Sequence, residues 1–221
     1  MRVACSRNVR LPFYHMTRNV FIATEEFSAK LFELVDLPLY DQSARLVTSD
    51  IACSMSLEHW AATLSLLKAA LLPSAITVHR AQFEALLRSI WIFYAASDPQ
   101  IAKLASELSQ ETEQAAKNLP MVAEMMSALE KEAPPQAHEA LMRFKDNSWR
   151  ALNSYAHAGI HPIRRHADGY PVALIESIAK NANGLAVLSA MQASVLSGLQ
   201  PIQRQILDLA AKYKECMPPS L

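Results

Sequence analysis

PSAITVHRAQFEALLRSIWIFYAA, residues 73–96, carries three formal charges, Arg80, Glu84 and Arg88, on a surface otherwise apolar around nearly the whole helical circumference. An amphipathic helix buries one stripe, whereas a helix apolar on most sides needs neighbours on most sides, so this segment is expected at the centre of a helical bundle. Pro73 suits its first turn, where the amide that proline lacks would have no partner. Lys68, Pro73 and the charged positions also interrupt the apolar run 61–96, which therefore falls short of the roughly 20 uncharged residues that span a membrane.

Outward from this centre, 3.6-residue periodicity persists through the chain. Helices are expected over 17–35, ending before Pro38, and over 41–72, with Ser49-Asp50 or Ser54-Met55-Ser56 as candidate break points and Ser56 as a candidate cap. After residue 96, Ser97-Asp98-Pro99 opens a helix to about Asn118, and with the next segment it forms an acidic, solvated outer hairpin at about 98–132. A further helix covers 136–158, with Gly159 placed as its left-handed cap and 160–171 as the longest non-helical stretch. Helices 172–198 and 201–214 complete the chain. With only four glycines in 221 residues, no strand pair with a turn signal and no internal repeat, the expectation is an all-α fold: one multi-helix bundle of about seven to eight helices over 17–221, preceded by a flexible extension over 1–16.

Composition narrows the function. Formal charge is zero, so any nucleic-acid contact should be local and a general DNA-binding surface is not expected. Cys5, Cys53 and Cys216 are odd in number and far apart, which implies reduced thiols and a cytoplasmic location. Phosphate-binding loops, dinucleotide fingerprints and nucleophile elbows are absent, and no cofactor is expected.

Chemistry concentrates in WRALNSYAHAGIHPIRRHADGYP, residues 149–171. Arg150, Asn153 and His157 recur at three and four residues and so share one helical face. Arginine can pair with phosphate oxygens, an amide can orient a hydroxyl, and imidazole can move a proton near neutral pH, so this trio is the candidate catalytic set. Structural roles compete: His157 complements a helix C-terminus, and Arg150 can pair with Asp146. His161, Arg164, Arg165 and His166 follow as candidate substrate contacts. Zinc through His157, His161 and His166 is disfavoured by the neighbouring arginines, and no metal site is expected. Arg80 and Glu84, one turn apart in apolar surroundings, are expected to form a polar network reaching the 136–158 helix, with about 3 kcal/mol at stake if one partner is lost.

The segment R150-A-L-N-S-Y-A-H157 resembles the arginine-spacer-histidine signature of the HEPN superfamily of all-helical proteins. The earlier Arg80-x(3)-Glu84 helix together with N153-S-Y-A-H157 is similar to uncharacterised bacterial HEPN-like families of stress and defence systems. Ala151 departs from that pattern, which usually carries a polar residue after the arginine. The resemblance implies metal-independent RNA cleavage by a toxin of a toxin–antitoxin pair or a defence component, or else an inactive relative. Arg150 would then stabilise the scissile phosphate and His157 assist the 2′-hydroxyl, with an antitoxin as partner and a second subunit completing the site. The apolar content of 172–209 gives an independent reason to expect a homodimer. Two other functions fit the residues: a non-enzymatic helical interaction module, and a small-ligand pocket near Arg80 and Glu84.

Overall fold

The computed structural model describes residues 18–219; the expected extension over 1–16, with Cys5, lies outside them. Among the described residues ten α-helices follow in order: α1 (Arg18–Val35), α2 (Ala44–Lys68), α3 (Leu72–Tyr94), α4 (Asp98–Ala105), α5 (Gln110–Ala116), α6 (Val122–Glu132), α7 (Pro135–Ala156), α8 (Ile160–Asp168), α9 (Val172–Ser197) and α10 (Pro201–Lys212). A short 3₁₀ turn, Lys214–Cys216, closes the described chain. Among the described residues there is no strand, and no helix is long and apolar enough to cross a membrane. The all-α class holds; the helix number exceeds the expected seven to eight because of two local events.

The first is the division of the helix expected over 98–118. Ser109 accepts from the Thr112 amide at 3.2 Å while Thr112 Oγ1 accepts from the Ser109 amide at 2.8 Å. This reciprocal cap gives α5 its own start. The second is α8, which corrects the loop expected over 160–171. Pro162 is the third residue of a new helix, where its missing amide needs no partner, and so it does not prevent the helix that it would have ended from within. The left-handed cap of α7 also shifts: Ala158 takes φ 49°, while Gly159 is extended and forms the N-cap of α8.

Two hydrophobic clusters meet along α3. Phe27, Trp60, Ile76, Ala179 and Ile206 lie in one, and Phe83, Leu87, Trp91, Met125 and Leu141 in the other, with Phe144 packing against both. α3 packs against α2, α6, α7 and α9, which is the central position its sequence requires. α9 is equally enclosed, by α1, α2, α3 and α10, so the apolar surplus of its sequence is taken up within one chain.

Between α2, α3 and α9 the core is polar. Ser49 Oγ donates to the Ser89 carbonyl at 2.8 Å, Ser56 Oγ to the Gln82 carbonyl at 3.0 Å, and Ser56 and Ser189 hydroxyls touch at 3.0 Å. Small side chains whose hydroxyls bond neighbouring backbone allow helices to approach closely without orphaned polar groups. Ser49 and Ser56, two of the serines that marked possible breaks in α2, therefore lie on its buried face, whereas Ser54 is exposed, and the helix runs unbroken from its cap at Ser43. Asn183 ties the end of the chain to this core. It accepts from Trp60 Nε1 at 2.9 Å and donates to Thr24 Oγ1 and to the Cys216 carbonyl, both at 2.8 Å.

Candidate functional site

Aromatic packing fixes the register of α3 against α7. Phe83 stacks on Phe144 at 4.7 Å between centroids and tilts against Trp149 at 5.7 Å, and His79 meets Phe144 edge-on at 5.3 Å. This register places Arg80 over the outer part of α7. Its guanidinium lies 4.9 Å from the Trp149 ring centroid, Nε donates to Asn153 Oδ1 at 2.9 Å, and Nη2 pairs with Glu84 Oε1 at 2.9 Å. Arg80 thus reaches the helix it was expected to reach, through Asn153 and the face of Trp149. The network is half-buried: the Arg80 and Glu84 side chains keep 22% and 32% exposure.

Asn153 therefore has a fixed orientation. Its oxygen is committed to Arg80, which leaves the amide nitrogen as the group able to serve a ligand. Arg150 and His157 flank it on the same side of α7 and are both exposed. None of the ion pairs among the described residues includes Arg150, so the pairing with Asp146 is not made. His157 is the C-cap of α7, its amide donating to the Asn153 carbonyl at 3.2 Å.

The four loop candidates lie on α8. Arg164 pairs with Asp168 at 2.8 Å, one turn on, while His161, Arg165 and His166 are exposed. Ser154 on α7 sets the attachment of this helix: its hydroxyl accepts from the His161 amide at 3.1 Å, capping α8 in place of the side chain that Gly159 lacks. A Cβ on Gly159 would stand 2.6 Å from that hydroxyl and 3.2 Å from the Ser154 carbonyl oxygen, so a side chain here would have to displace the cap. No group of three or more His, Cys, Asp or Glu among the described residues is placed to hold a metal ion.

Sequence reasoning missed His79, Gln82, Trp149 and Ser154. Gln82 Nε2 donates to the Ala182 carbonyl at 2.9 Å, which turns Oε1 toward His79 Nδ1 at 3.0 Å. An amide oxygen can only accept, so Nδ1 carries the proton and the buried Nε2 is left bare and without a partner. The three-residue spacing of His79 and Gln82 on an apolar helix was the signal available. A groove of about 400 Å³ lies between α7 and α9, lined by Phe144, Asn147, Ser148, Asn181, Leu185 and Leu188 among others, and neither Arg80 nor Glu84 lines it.

Fold and site define an all-helical protein with an arginine–asparagine–histidine stripe braced from a central helix. No curated protein and no solved structure matches the chain. Residues 53–219 match the model of a family of unknown function, DUF6988, and the chain belongs to that family.

Proposed function

We propose that the α3–α7 face is a metal-independent RNA-cleaving site of the HEPN-like kind, in a toxin or defence component. One observation carries the reading: Arg150 and His157 stand exposed on one side of α7, about 10 Å apart along its axis, with the Asn153 amide held between them by Arg80. In the proposed reaction Arg150 neutralises the scissile phosphate, and the Asn153 nitrogen donates to a phosphate or hydroxyl oxygen. His157 takes the proton of the 2′-hydroxyl as its oxygen attacks phosphorus, and the 5′-oxygen leaves with a proton from a second acid. The products are a 2′,3′-cyclic phosphate and a 5′-hydroxyl. A second subunit would bring another such stripe and could supply that acid; His161, Arg165 and His166 extend the cationic surface along the RNA strand.

The test is wild-type protein with mixed RNA in excess chelator, followed by analysis of product ends. Cyclic phosphate ends, with cleavage slowed about 10²- to 10⁴-fold in both Arg150→Ala and His157→Ala, are the expected result. Both positions are exposed, so both variants should fold. An inert wild type that also leaves bacterial growth unaffected overturns the reading in favour of an inactive relative or an interaction module. Ile160 and Ile163 of α8, both exposed, are the observation that favours the module.

A further inference from the structure

The two asparagines of α7 use their amides in opposite senses. Asn147 Nδ2 donates to the carbonyl of Arg143, four residues back, at 2.8 Å, so its nitrogen is spent on the helix and its oxygen is left over. Such a back-bond is what a short amide makes on a helix when nothing competes for it. Asn153 has the same option toward the carbonyl of Trp149 and does not take it. Arg80 Nε holds the Asn153 oxygen at 2.9 Å instead, and among the described residues nothing accepts from the nitrogen. The guanidinium is itself fixed, by Glu84 at 2.9 Å and by the Trp149 ring, whose centroid lies 4.9 Å away. An amide oxygen that accepts from a cation also draws charge toward itself, which makes the N–H groups at the other end stronger donors.

We infer that Arg80 is a positioning residue for an oxyanion. It touches no substrate; by holding the Asn153 oxygen it keeps the nitrogen from bonding back onto α7 and presents it, between Arg150 and His157, as a polarised donor. Arg150 and an amide turned nitrogen-outward offer donors only, so the ligand this arrangement takes is an anion with several acceptor oxygens, a phosphate group. A ligand group that must donate finds the amide oxygen already engaged. Glu84 has two effects: it fixes the guanidinium and, by offsetting its charge, leaves Arg150 as the cation that draws the anion in. Arg80 therefore acts on the ligand through the direction of one amide rather than through its own charge. The inference rests on the RNA-cleaving reading for the reaction it serves, whereas the phosphate contact does not require cleavage.

A double-mutant cycle tests it. Arg80→Met keeps hydrocarbon over Trp149 and removes the donor, and Asn153→Ala removes the amide. With RNA as substrate, each single variant and the double variant should lower kcat by the same roughly 10²-fold, the worth of one preorganised oxyanion donor, with KM little changed. Arg80→Met should thus have no effect once Asn153 is gone. A purely structural role for Arg80, or direct contact of its guanidinium with the phosphate, makes the two losses multiply; that result overturns the inference and leaves the RNA reading intact. If the wild type does not cleave, the RNA reading falls and NMR decides the contact. On addition of inorganic phosphate, the side-chain amide signals of Asn153, identified by their loss in Asn153→Ala, should shift in the wild type and stay in place in Arg80→Met. Wild-type signals that ignore phosphate, or signals that shift equally in both proteins, overturn the inference. The wild-type titration keeps the test decisive even where Arg80→Met does not fold.

Discussion

Acidification should destabilise this fold through one residue. His79 is buried, with Nδ1–H bonded to Gln82 and Nε2 facing no acceptor, and burial pushes its imidazole down from 6.5 to about 4 against the opposing hydrogen bond to Gln82. The unfolded chain therefore takes up this proton first. The stability contributed by keeping His79 neutral is complete above about pH 6.5 and is lost as pH falls toward 4. At about 1.4 kcal/mol per pH unit, the full interval is worth roughly 3 kcal/mol, a large part of the margin of an ordinary domain. Urea unfolding at a series of pH values from neutral to mildly acid measures it. His79→Asn keeps a donor for Gln82 but does not titrate, so its stability, lower overall, should fall less steeply with acid by about 1.4 kcal/mol per unit within that window. The other histidines among the described residues are not buried and contribute equally to both curves. Parallel profiles for wild type and variant would refute the reasoning and mean that Nε2 is protonated in the fold at little cost.

Three further outcomes follow from local geometry. Arg80→Ala should cost about 1–2 kcal/mol in denaturant unfolding, less than the 3 expected for full burial, because the site is partly solvated and the losses are a cation–π contact and two hydrogen bonds. Ala70 and Ala158 both sit at positive φ, 58° and 49°, in helix-ending turns where the next amide reaches back to Leu66 and Ser154. Replacing either by glycine should stabilise by about 1 kcal/mol, read as a raised thermal midpoint, and no gain would mean that the strain is absent. Gly159→Ala should lower the midpoint and increase amide exchange at His161, since the new methyl displaces the Ser154 hydroxyl that caps α8.

What the sequence disclosed and withheld has physical causes. The central place of α3 was legible because a helix apolar on most sides has few alternatives. The Arg80 contact with α7 was legible because a charge amid apolar residues calls for a partner. The acidity of 98–132 was visible in composition, but the division at Ser109 of the helix expected over 98–118 depended on a serine–threonine reciprocity easily read as ordinary helix surface. α8 was hidden because proline and glycine stop a helix or start one according to a difference of two positions, and Pro162 falls on the permissive side. The serines of α2 read as break points because a hydroxyl's burial is decided by carbonyls on other helices. For the same reason the commitment of Asn153 to Arg80 could not be read from either segment alone.

The serine seam has a bearing on how such a chain can diversify. Ser56 and Ser189 have one proton each, yet their hydroxyls stand at bonding distance from the Gln82 carbonyl, the Leu185 carbonyl and each other. A larger residue at either position wedges α2 from α9, and a smaller one leaves its opposite number with a changed donor direction. Neither step is neutral alone, while a matched pair of changes can restore both spacing and bonding. Positions 56 and 189 should therefore drift together among relatives as a correlated pair, with epistasis between them measurable in a double-substitution library, even though 133 residues separate them in the chain.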